Sequence, residues 1–112
     1  MAKSERRPIC KVSDVPENEL REYEAEPGRK LCIVNAGDRF FACQAACPHE
    51  GIALCDGTFD GEVLTCLEHL WQWNLREGGE PKGLAEEALA MFEVEVEGDA
   101  VYLTDELPAS EG

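Results

Sequence analysis

Met91-Phe92-Glu93-Val94-Glu95-Val96-Glu97-Gly98-Asp99-Ala100-Val101-Tyr102-Leu103-Thr104 alternates apolar and acidic side chains up to a Gly-Asp pair, then turns back apolar. Side chains two apart on an extended strand share a face. Phe92, Val94 and Val96 therefore fall on one side, and Glu93, Glu95 and Glu97 on the other. Gly98-Asp99 supplies the turn and residues 100–104 return. The stretch predicts a half-buried antiparallel hairpin with an acidic outer face. That row of glutamates reads as an ordinary solvated face rather than as a partner-binding strip.

Upstream, strand-forming residues recur in shorter pieces punctuated by turn residues. Residues 9–12 predict a first strand, followed by the polar stretch 13–19, and residues 21–24 a second, ended by Pro27-Gly28. Residues 31–35 and 39–43 flank Ala36-Gly37-Asp38, a hairpin turn. Thr58–Phe59 and Val63–Thr65 flank Asp60-Gly61-Glu62, a second hairpin, and residues 71–75 predict a third member of that small sheet, closed by Glu77-Gly78-Gly79. Residues 80–90 are ambiguous. Residues 84–89 have helical composition, yet Pro81 and Gly83 precede them, so a loop or a single turn fits equally. Residues 105–112 read as a flexible tail. The expected fold class is all-β.

The chain has 112 residues, 44 % of them apolar and 30 % charged. This length suits one domain over residues 1–112, and two would leave each half without a proper core. No apolar run approaches the ~18–20 residues a membrane span needs. The opening Met-Ala-Lys-Ser-Glu-Arg-Arg-Pro has no apolar secretory segment, so the expected location is cytoplasmic. Net charge is −14, and it is unevenly placed. Residues 1–39 are balanced, whereas residues 40–112 set sixteen acidic side chains against only Arg76 and Lys82. Such a field repels phosphate, which argues against nucleic acid and anionic membrane as partners and favours a positively charged protein surface.

Six cysteines in such a chain are more readily thiols or metal ligands than disulfides. Cys10, Cys32, Cys43 and Cys55 have no ligand partner nearby in sequence and read as small buried hydrophobes. Cys47-Pro48-His49 and Cys66-Leu67-Glu68-His69 hold the remaining two, together with the chain's two histidines. Two metal readings compete. Zinc takes Cys₂His₂, but its usual spacings pair Cys with Cys and His with His. A Rieske [2Fe–2S] centre puts two cysteines on one iron and two histidines on the other, and two mixed loops satisfy that division directly. The candidate ligands are Cys47, His49, Cys66 and His69. No Gly-x-Gly-x-x-Gly is present, and a Ser/His/Asp site would need a histidine already used as a ligand. An electron carrier with no substrate turnover of its own is what remains. Two ferric ions, two sulfides, two thiolates and neutral imidazoles sum to zero charge, so reduction leaves one negative charge.

The string Cys47-Pro48-His49-Glu50-Gly51 followed by Cys66-Leu67-Glu68-His69 resembles the Cys-x-His…Cys-x-x-His signature of Rieske proteins. More narrowly, Cys66-Leu67-Glu68-His69-Leu70-Trp71-Gln72-Trp73-Asn74 is similar to the ferredoxin component of multicomponent toluene and alkene monooxygenases, where His-Leu-Trp replaces the usual His-Gly. Ile9-Cys10-Lys11-Val12-Ser13-Asp14, Gln44-Ala45-Ala46-Cys47 and Phe92-Glu93-Val94-Glu95-Val96-Glu97-Gly98-Asp99 extend the likeness over nearly the whole chain. The resemblance implies a small antiparallel β-sandwich carrying a cluster-binding subdomain at about residues 45–75. It also implies single-electron transfer from an NADH-dependent flavoprotein reductase to a carboxylate-bridged diiron hydroxylase. The ferredoxin of a ring-hydroxylating dioxygenase is the alternative, and Leu70 in place of glycine argues against it. A structural zinc module is a further, weaker one.

High-potential members of the family link their two loops by a disulfide and place hydroxyls two and four residues after the second histidine. The corresponding positions here resemble Ile52 and Glu68, and Trp71 and Trp73. Fewer donors to the reduced cluster imply a low potential. Pro48 and Gly51 shape the first loop, and Glu50 and Glu68 are candidates for recognising a basic partner. Trp71 is either a docking contact at the surface or a wall beside the cluster, and Trp73 is expected in the core.

Overall fold

β-strands at Arg7–Lys11 (β1), Leu20–Glu26 (β2), Arg29–Asn35 (β3), Phe40–Gln44 (β4), Thr58–Phe59 (β5) and Val63–Thr65 (β6) are followed by Gln72–Asn74 (β7), Glu80–Lys82 (β8), Met91–Phe92 (β9), Val94–Glu97 (β10) and Ala100–Leu103 (β11). The structure, a computed structural model, describes residues 7–26, 29–46, 53–66, 71–83, 85 and 87–104. Among these, every strand pairing is antiparallel, the only helical pieces are short 3-10 turns, and no helix is long and apolar enough to cross a membrane. The all-β expectation holds, and the strands form an antiparallel sandwich.

Three sheets result, ordered β1-β11-β10, β2-β3-β4-β9 and β5-β6-β7-β8. The second sheet lies between two cores. On β3, Leu31 and Ile33 point into one core with Val15, Ala42 and Leu103, flanked by Phe40, Phe92 and Val94. Cys32 and Val34 point the other way, into a core with Leu54, Leu64, Cys66, Trp73 and Leu89. A strand buried on both faces needs an unbroken apolar run, and Leu31-Cys32-Ile33-Val34 supplies one. Each of these aliphatic side chains contributes about 1.5–3 kcal/mol by leaving water.

The predicted hairpins form where their turn chemistry lies. Asn35 Oδ1 accepts the Gly37 N–H at 2.8 Å while its Nδ2 donates to the Val15 carbonyl at 2.7 Å, so one buried amide pins both the β3–β4 turn and the preceding crossover. Asp60 Oδ1 accepts the N–H groups of Glu62 and Val63 at 3.0 and 2.8 Å and makes the β5–β6 turn. The Val63 and Glu62 N–H groups hold the Asp60 carboxyl below the usual carboxylate range.

Several boundaries differ from the sequence reading. The first strand is Arg7–Lys11, with Val12–Asp14 leaving it as a 3-10 turn. The second extends over Leu20–Glu26, because Glu24 and Glu26 continue to pair with β3 on either side of a register shift at Ala25. Arg39 precedes β4, and Trp71 and Leu75 flank β7 instead of belonging to it. Residues 80–82, part of the stretch whose sequence is ambiguous between helix and loop or turn, form a fourth strand on the small sheet. The strand expected over residues 91–97 is interrupted at Glu93: β9 pairs with β4 in one sheet, and β10 with β11 in another. Val96, placed on the buried face by alternation, is 46 % exposed, because β10 is an edge strand of the first sheet and does not continue β9. The Pro27-Gly28 turn and residues 105–112 lie outside the described residues.

Candidate metal centre

Two loops leave from closed bases. The Leu54 N–H donates to the Ala45 carbonyl at 2.8 Å and Ala46 bridges Ala53, which closes residues 47–52. The Cys66 N–H donates to the Trp71 carbonyl at 2.8 Å, which closes residues 67–70. The β5–β6 hairpin connects the two. Thr58, just after the first loop's exit, pairs with Thr65, which leads into Cys66. Gly57 permits this approach: a Cβ there would collide with the Thr65 carbonyl and press on that of Leu54. Both bases thus come together through a hairpin that needs a residue without a side chain at position 57.

Cys66 is 1 % exposed and packed in the second core with Trp71 and Trp73. The other expected ligands, Cys47, His49 and His69, lie outside the described residues, as do Pro48, Glu50, Gly51 and Glu68. What is described fits a cluster site: a buried Cys66, and flanks on either side of residues 47–52 that are hydrogen-bonded to one another. Thiolate sulfur and imidazole nitrogen in equal number suit a Rieske cluster.

Trp71 is only 9 % exposed and meets Trp73 edge-on, with ring centroids 6.2 Å apart. That burial weighs against Trp71 as an exposed docking contact and leaves its indole packed in the core beside Trp73. Trp73 is fully buried, as expected, and its Nε1 donates to the Glu87 carbonyl at 2.8 Å.

The remaining thiols divide. Cys32 and Cys43 are fully buried and face one another across β3 and β4. Cys10 and Cys55 are only half-buried, which corrects that part of the expectation, because both sit at the margin of a core. A hydrogen bond with Cys43, then burial, pushes the Cys32 thiol up. Burial pushes Cys10 up to about 11, with Asp14 adding to it. Burial, with Cys32 and Glu22 adding to it, also raises Cys55, whose Sγ is 4.0 Å from Glu22 Oε1. Thiols held protonated in this way are poor nucleophiles.

Sequence reading missed two residues that shape the site. Gly57 is silent in sequence, as is Gln44, whose side-chain amide spans from Ala46 to Ala90. Gln44 falls in a segment that carries the family likeness, but nothing in the sequence pattern shows what either residue does.

The Rieske [2Fe-2S] domain matches residues 5–104, so the chain belongs to that family, and its cofactor is one [2Fe–2S] cluster of Rieske type. The zinc reading falls with this assignment. The chain is 35 % identical over 103 residues to the ferredoxin component of the alkene monooxygenase system of Xanthobacter autotrophicus, covering 89 % of this chain and 82 % of that one. It is 31 % identical over 98 residues to ferredoxin CarAc of Metapseudomonas resinovorans, covering 88 % and 92 %. Among solved structures, the complex of reduced oxygenase and oxidised ferredoxin in carbazole 1,9a-dioxygenase contains a chain that superposes with a TM-score of 0.79 at 30 % identity, covering 92 % of this chain and 97 % of that one.

Proposed function

We propose that this chain is the one-electron carrier of a multicomponent oxygenase, with its cluster held by Cys47, His49, Cys66 and His69. It takes electrons from an NADH-dependent flavoprotein reductase and delivers them to a diiron hydroxylase. The carrying observation is that relatives sharing 31–35 % of their residues with it are themselves ferredoxin-sized and named as ferredoxins of oxygenase systems. When bound, the cluster accepts and releases a single electron. The protein's own part is to hold it. Pairs of residues fixed to one another at Ala45/Leu54 and Cys66/Trp71 hold the ends of the two ligand-bearing segments, and Trp71 and Trp73 pack in the core that takes Cys66. We place the cluster-binding unit at about residues 45–75 within one domain, and the protein in the cytoplasm.

His69-Leu70-Trp71 favours a monooxygenase. The likeness to the carbazole dioxygenase ferredoxin supports a second reading, in which the terminal enzyme is a ring-hydroxylating dioxygenase. Reconstitution separates them. The chemically reduced carrier is mixed with a purified diiron hydroxylase or a Rieske dioxygenase, each with substrate and oxygen, and product is measured per electron. Product with the diiron enzyme alone supports the proposal. Product only with the dioxygenase selects the alternative.

A further inference from the structure

Gln44 ends β4 at the point where the chain turns toward the first ligand loop. Its side chain is half-buried and fully engaged. Nε2 donates to the Ala46 carbonyl at 2.7 Å, and Oε1 accepts the Ala90 N–H at 2.8 Å. Its own backbone N–H donates to the Ala90 carbonyl at 3.0 Å. One residue thus grips both polar groups of Ala90 and the carbonyl of the residue that precedes Cys47. Ala46 is held from its other direction by the bridge to Ala53, so its peptide has little freedom.

The segment Gln44 leans on is itself anchored to the second loop's strand. Trp73 Nε1 donates to the Glu87 carbonyl at 2.8 Å, and the Leu89 N–H donates to the Gly79 carbonyl at 3.0 Å. Leu89 is 2 % exposed, in the core that holds Cys66 and Trp71. Residues 87–90 therefore form a strut with Gln44 at one end and Trp73 at the other. The strut ties the start of one ligand loop to the strand that follows the other.

We infer that Gln44 is a positioning residue for the cluster: by holding the Ala46 carbonyl against Ala90 it fixes where the first loop presents Cys47 and His49. The inference rests on the ligand assignment proposed above. An unclamped loop admits water to the cluster and stabilises its more negative, reduced form, so losing the clamp raises the potential and speeds cluster loss.

Two substitutions dissect the clamp. Gln44→Met keeps the shape and removes both side-chain hydrogen bonds. Gln44→Glu keeps an acceptor for the Ala90 N–H and removes the donor to Ala46. Iron release to a chelator should rise threefold or more in both variants. In Gln44→Met, the reduced-to-oxidised ratio at the wild-type midpoint should also rise about threefold, which is ~28 mV for a one-electron couple at 59 mV per tenfold. Arg76→Met is the comparator, because its contacts lie at the opposite end of β4: it should lower the melting temperature and leave chelator release and the electron paramagnetic resonance g-values unchanged. Apo variants that fold by circular dichroism but do not load a cluster also support the inference. Wild-type release rates in both variants overturn it, as does an effect in Gln44→Met alone, which would place the function at Ala90. Apo variants that fail to fold overturn it too, since Gln44 would then be needed by the fold. A wild-type spectrum without nitrogen ligation would instead overturn the ligand assignment.

Discussion

Cys66 illustrates how much a single side chain is asked to do. Its backbone N–H donates to the Trp71 carbonyl, and its side chain is buried in the core that also holds Trp71 and Trp73. Cys66→Ser should yield protein without a stable cluster, whereas Cys43→Ser and Cys55→Ser should each retain two irons and two labile sulfides per chain. Iron and acid-labile sulfide assays check this, and loss of iron in either of the last two variants would contradict the ligand set. The potential is argued at the same scale. Position 71 carries a buried indole, and the Trp73 N–H is spent on the Glu87 carbonyl. With no hydroxyl at either position, the midpoint is expected near the low end of the Rieske range, roughly −150 mV as against around +300 mV. Trp71→Ser should raise it once cluster retention has been shown. A wild-type midpoint well above zero in a redox titration would defeat the argument.

At the scale of elements, Arg76 joins the small sheet to the β3–β4 turn. Its Nε donates to the Gly61 carbonyl at 2.8 Å and its Nη1 and Nη2 reach the two Asp38 oxygens at 3.2 and 2.7 Å. The guanidinium also lies 5.9 Å from the centre of the Phe41 ring. The Arg76 hydrogen bond holds the Asp38 carboxyl below its ordinary range. A carboxyl depressed in the folded state stabilises above its unfolded pKa and loses that contribution as pH falls through the folded one. Asp38→Asn should therefore unfold at lower urea than wild type at pH 7, and the gap should close as pH falls below the ordinary carboxylate range. Both partners are well exposed, so the gap is small and shrinks with salt; a gap that persists in acid would remove the ion pair as its cause. The hairpins were legible because Gly37 and Asp60-Gly61 state their turns locally. β8 was not, since Pro81 reads as a breaker in a central strand but is tolerated on an edge, which is where β8 lies. The break at Glu93 was hidden for another reason: alternation reports which way side chains point and says nothing about which sheet a strand joins. For the site, spacing alone disclosed the four candidate ligands. The parts that hold the loops, Gly57 and Gln44, act through backbone carbonyls and leave no mark in composition.

Across the whole molecule, the charge is the dominant property. All of the −14 arises in residues 40–112, the part that carries both ligand motifs. Electron delivery to a basic partner should slow as salt rises from low levels to several hundred millimolar, because docking is screened beyond ~10 Å at 0.1 M. Stopped-flow reoxidation of the reduced carrier at graded ionic strength measures it. A flat profile would leave acidity to solubility alone.

The pairing of β1 with β11 sets Arg7 opposite Leu103. On a ribosome adding ~5–20 residues each second, β1 waits about 5–20 s for the strand that completes its sheet. By then residues 20–82 have emerged, with both ligand loops and the sheet that joins them. The residues that carry both ligand motifs have therefore been made while the first sheet still lacks its central strand. A transcript cut short before residue 100 would leave β1 and β10 with bare edges, the kind that recruit strands from other chains. The order of synthesis makes β11 a seal, added after every residue of the ligand motifs.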